Sequence, residues 1–119
     1  MTEIKTHADK YQHNIEFISI IGEEYSDWKI TAIFYSALHL VERYLDGTPI
    51  GRVKRNHTAR KKIIAQTDGL KKIYGNYDFL LNESIKSRYG FKTFKQKDIE
   101  RAQSVLNKIE EDLFPADKH

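Results

Sequence analysis

Cysteine is absent from this chain of 119 residues, which excludes disulfide staples and thiolate metal sites. That absence fits a reducing compartment, and the opening stretch MTEIKTHADKYQHN lacks the charged-then-apolar layout of a secretion signal, so a cytoplasmic location is expected. No apolar run approaches the ~20 residues needed to span a bilayer, so no membrane association is expected. Proline occurs twice and glycine six times, so chain breaks are sparse and long helices are favoured. Neither a glycine-rich phosphate loop nor a nucleophile elbow is present. His7 and His13 lie six residues apart, which suits neither one helical face nor a standard zinc spacing. Neither a metal nor a cofactor is expected.

What is present describes an ordinary globule. Hydrophobic residues make up 39% and charged residues 31%, enough of the first to form a core and too few of the second for a disordered polyelectrolyte. The length suits one domain, residues 1–119 with a core over about 3–113, burying roughly two-thirds of its unfolded surface. The net charge of +3 is mild, but its distribution is uneven. Between Gly51 and Lys72 lie Arg52, Lys54, Arg55, Arg60, Lys61, Lys62, Lys71 and Lys72, with Asp68 the one acid. Such a block either attracts phosphates or forms a solvated face.

Apolar residues recur with helical period throughout, and no strand alternation persists. A first helix is expected over about Glu3–Ile21, with Ile4, Tyr11, Ile15 and Ile18 inward and Gly22 as its stop. A central helix starts at Ser26 or Asp27, whose side chains suit a cap, and ends at Gly47. After a loop to about Arg55, a shorter helix is capped by Asn56 or Thr58 and turns Ile63 and Ile64 inward. Asp68-Gly69 marks a turn, and a fourth helix over about Leu70–Tyr89 carries Ile73, Tyr77, Leu80, Leu81 and Ile85 inward before Gly90. The last helix, about Lys97–Leu113, buries Ile99, Ala102, Val105, Leu106 and Ile109. The fold class is therefore all-α, an antiparallel bundle of four to five helices.

The central helix is apolar on nearly every side, as an element surrounded by neighbours must be. It nevertheless carries Tyr35, His39 and Glu42 at spacings of four and three, one polar stripe on a helix. Buried polar groups cost stability unless paired, so the stripe is either a satisfied internal network or the lining of a site.

Three segments in order, FYSALHLVERYL, NHTARKKI and YDFLLNESIKSRYG, resemble a HEPN domain, a small helical family linked to nucleotide or RNA binding. The resemblance covers about Asp27 to Ile109. It implies an antiparallel bundle, usually a homodimer, sometimes partnered by a nucleotidyltransferase or another antitoxin. Many members are metal-independent endoribonucleases whose motif is an Arg followed after four to six residues by a His. This chain departs from that pattern, because after Arg88 no histidine follows until His119. The one formal match, Arg52 to His57, falls in the loop and at the opening of the third helix.

Metal-free RNA cleavage needs a base for the 2′-OH proton and a cation for the phosphate, which His and Arg supply. The catalytic candidates are therefore His57, Arg52 and Arg88. For binding alone, His57, Arg60 and Arg88 are expected to neutralise phosphate, while Tyr35, His39 and Tyr89 shape an aromatic-bordered groove. Each also has a structural role open to it. His39 can bond a tyrosine or carboxylate in the core, with Tyr35 as its packing partner. His57 can cap its helix, Arg60 can hold Glu42 or Asp46, and Arg88 can complement the helix dipole. Trp28 reads as a core or dimer anchor. The functional readings are a nucleotide- or RNA-phosphate-binding domain, a toxin-like endoribonuclease held by an antitoxin, and a non-catalytic interaction module.

Overall fold

The computed structural model describes residues 10–13, 15, 26–51, 55–90 and 92–115. Among them all regular structure is helical: α1 is Ser26–Asp46, α2 is His57–Gln66, α3 is Tyr74–Arg88 and α4 is Gln96–Leu113. Residues 10–13 and 15 are also helical, and Tyr11 and Ile15 pack on the core. The remainder of the expected first helix lies outside the described residues.

Helix α1 is the axis of the bundle. Ile33, Phe34, Ala37, Leu40, Val41 and Leu45 are fully buried, and they face more than one side of the helix because α3 and α4 both pack against it. Tyr77 and Leu80 of α3 and Leu106 and Ile109 of α4 complete the core, together with Ile64, Leu70 and Ile73. Ile63, Ile85 and Val105, expected inside, are half-buried at its edge. Phe34 meets Tyr77 edge-on, with ring centroids 5.5 Å apart.

Local chemistry sets the boundaries. Asn56 caps α2, its side-chain oxygen accepting from the Ala59 N–H at 2.8 Å. Asp98 reaches back from the first turn of α4 to accept from the Lys95 N–H at 2.9 Å, and this bond holds its carboxyl below the usual range. The expected fourth helix is divided. Lys71–Ile73 forms a 3-10 turn, and the α-helix proper begins at Tyr74. The turn at Gly69, with its positive φ, leads into this 3-10 start.

Antiparallel pairing of α1 and α3 is pinned at one end. Ser87 Oγ donates to the Asp27 carbonyl oxygen, and lies 3.2 Å from Thr31 Oγ1. The last turn of α3 therefore sits beside the first turn of α1.

Gly69 has φ of +87°, and a Cβ there would lie 2.2 Å from the Tyr44 hydroxyl. That ring would have to leave its edge contact with Phe114, whose centroid is 6.3 Å away. Gly90 also has positive φ, +70°, but open space around it. Gly69→Ala is expected to cost about 1–3 kcal/mol through backbone and ring displacement together, and Gly90→Ala about 1 kcal/mol from backbone alone. Urea denaturation of the two variants measures the difference.

Candidate functional site

The polar stripe of α1 continues further toward the N-terminus than Tyr35. Asp27, Thr31, Tyr35 and His39 recur every four residues and so share one face of the helix. Together with Trp28, Ala32 and, from the end of α3, Ser87 and Arg88, they line a cleft of about 590 Å³. That is the size of a small-ligand site. Its position follows from the pinned helix ends, because Ser87 is fixed against Asp27 and its neighbour Arg88 turns to the same opening.

Within the cleft, Tyr35 and His39 are half-buried, and Tyr35 packs edge-on against Phe34 at 5.3 Å. Arg88 is exposed, with its Nε donating to the Ser84 carbonyl at 3.3 Å, which steadies the guanidinium along α3. Among the described residues, neither Arg88 nor Asp27 enters an ion pair. Trp28 is 64% exposed at the mouth, so it is no core anchor in this chain. Tyr89, next to Arg88, is 67% exposed.

Glu42, the third member of the original stripe, has a different role. It is buried at the far end of α1, where Arg60 Nε donates to its Oε2 at 2.8 Å and Arg55 Nη1 stands 3.6 Å from its Oε1. Arg60 Nη2 donates to the Arg55 carbonyl at 3.2 Å, and Arg55 Nη2 to the Gly51 carbonyl at 2.9 Å. Arg60 is thus held in a buried ion pair and does not line the cleft.

His57 lies between the two groups. In the first turn of α2, its ring centroid is 5.6 Å from that of Phe34, and its Nδ1 is 3.4 Å from Arg60 Nη1. A guanidinium only donates, so Nδ1 accepts and the proton of a neutral ring sits on Nε2. Burial, then the charges of Arg60 and Arg88, lower the His57 pKa below its usual value. At neutral pH His57 is uncharged, so it offers phosphate an N–H and no full positive charge. It does not line the cleft, but the field of Arg88 reaches it.

The basic block divides into separate fates. Arg55 and Arg60 are tied to Glu42, and Lys61 pairs with Asp78 at 2.7 Å. Lys71 pairs with Asp68 at 3.1 Å, while Lys62 and Lys72 are exposed. Arg52 and Lys54, and with Arg52 the formal Arg-to-His match, lie outside the described residues.

Among the described residues, no three His, Asp or Glu side chains gather as a metal site. No helix of the described residues is long and apolar enough to cross a membrane.

Sequence reasoning placed Tyr35, His39 and Arg88 in a site and missed Asp27, Trp28, Thr31 and Ser87. The four-residue repeat from Asp27 through His39 was the available signal. Comparison with protein-family profiles, curated proteins and solved structures finds no match to this chain.

Two outcomes are expected. Glu42→Gln leaves two buried guanidiniums without their carboxylate and should lose about 3–5 kcal/mol in urea denaturation, whereas Arg88→Ala on the surface should change stability by no more than about 0.5 kcal/mol. For His57, the folded pKa is lowered, so the unfolded state binds more protons below about pH 6.5. The His57 contribution to stability is therefore complete above that pH and is lost as pH falls through the folded pKa. NMR titration should place the His57 midpoint below that of a model histidine, and Arg88→Ala should move it upward.

Proposed function

We propose that this chain binds the phosphate of a nucleotide or of RNA in the α1–α3 cleft, with Arg88 as the phosphate ligand. One observation carries the reading: a surface arginine that enters no ion pair among the described residues opens into the same cleft as Tyr35, His39 and the exposed Trp28. Arginine suits phosphate through its planar fork, and aromatic faces stack bases without demanding one sequence. His39 adds a ring that can donate to phosphate or sugar. The HEPN resemblance of the three sequence segments supports the same reading, although Arg60 serves the fold and Arg88 acts without it. Glu42 and Arg60 then act at a distance, by holding α2 and His57 in place.

A second reading, metal-independent RNA cleavage, draws support from His57. A lowered pKa keeps its imidazole neutral, as a general base must be, and Arg88 is close enough to act on it electrostatically. Incubation with RNA in EDTA tests this reading, and intact RNA at micromolar protein removes it.

Trp28 is the single tryptophan of the chain, so its fluorescence reports occupancy of the cleft directly. Titration with a short single-stranded RNA should quench it, with affinity falling as salt rises. Arg88→Ala should weaken binding about tenfold or more, the worth of a charge-assisted hydrogen bond, and flatten the salt dependence. Unchanged affinity in Arg88→Ala would overturn the assignment.

A further inference from the structure

The cleft is bipolar. Among the described residues, its lining holds the guanidinium of Arg88 and the carboxylate of Asp27, and the other lining side chains are hydroxyls, aromatics, an alanine and an imidazole. A site built for phosphate alone gains nothing from a carboxylate, which repels the ligand it is meant to hold. The main chain at Asp27 is tied to the turn that carries Arg88, because its backbone carbonyl oxygen accepts from Ser87 Oγ.

From this arrangement we propose that Asp27 reads the base of the bound nucleotide and selects guanine. The inference rests on the nucleotide-binding reading above and adds to it a specificity. An ionised carboxylate accepts hydrogen bonds and cannot donate them. Among the common bases, guanine alone presents two adjacent donors on its pairing edge, the ring N1–H and the 2-amino group. These match the two carboxylate oxygens as a parallel pair. Adenine sets one amino donor beside a ring acceptor, and uracil flanks its single ring donor with two carbonyl oxygens, so both bring a lone pair against the second carboxylate oxygen. Trp28 and Tyr35 line the same cleft and give a purine a face to stack on, while Arg88 takes the phosphate.

The discriminating pair is guanosine monophosphate and inosine monophosphate, which differ by the 2-amino group alone. Calorimetric titration of the full chain should show guanosine monophosphate binding about tenfold tighter. In Asp27→Ala, the affinity for guanosine monophosphate should fall to that for inosine monophosphate, and adenosine monophosphate should bind no worse than before. Equal affinity of the wild-type protein for the two probes overturns the base-reading role and leaves phosphate binding standing. A preference that survives in Asp27→Ala assigns the selection to another residue and also overturns it. If neither probe binds the wild-type protein, the inference falls together with the function on which it rests.

Discussion

The carboxylate of Glu42 governs how the second half of the bundle is assembled. Burying a carboxylate is costly, and the cost is met here by two guanidiniums, from Arg60 in α2 and Arg55 in the preceding segment. The same guanidiniums satisfy the carbonyls of Arg55 and Gly51, so the connection into α2 is held by side chains that are themselves held by Glu42. A buried charge pair adds little net stability over an apolar replacement, but removing one partner costs several kcal/mol. Domains of this size have about 5–15 kcal/mol in total. The network therefore acts chiefly as a register device, setting α2 against α1 and His57 against Phe34.

Along α1, three polar positions divide between two tasks. Tyr35 and His39 open to the cleft, while Glu42, one turn further, points into the bundle toward α2. The two tasks are linked through His57, which touches Arg60 on one side and feels the charge of Arg88 on the other. Tyr77 stands near the same junction, fully buried, and burial pushes its hydroxyl up to about 12, so it stays neutral. A change of charge in the cleft thus has a physical route to the ionisation of His57 that requires no movement of the backbone.

Much of the fold was legible because helix formation here depends on period and punctuation. The apolar rows of α1 and α4, the Asn56 cap and the Gly90 stop are all local signals, and the structure realises each of them. The 3-10 entry to α3 was less visible, since it depends on how Gly69 packs over Tyr44, a contact between distant segments. The site was legible in part for the same reason. Tyr35 and His39 stand out as polar residues on an apolar helix, but Asp27 and Trp28 sit at a helix start, where a cap or an anchor is the ordinary reading. Arg60 and Arg88 look alike in sequence. Only the position of Glu42, eighteen residues before Arg60, determines that one is internal and the other open.

Helix ends explain why the cleft lies where it does. The first turn of α1 carries partial positive charge and the last turn of α3 partial negative charge, and antiparallel pairing brings the two together. Asp27 and Arg88 each complement the end on which they sit, a structural reason for both residues that involves no ligand. The same pairing sets a carboxylate and a guanidinium across one opening, without an ion pair between them. Glu42, by contrast, faces the bundle and is buried against two guanidiniums. At the helix ends Asp27 and Arg88 stay hydrated and available, so the cleft carries opposite charges at little cost to the fold.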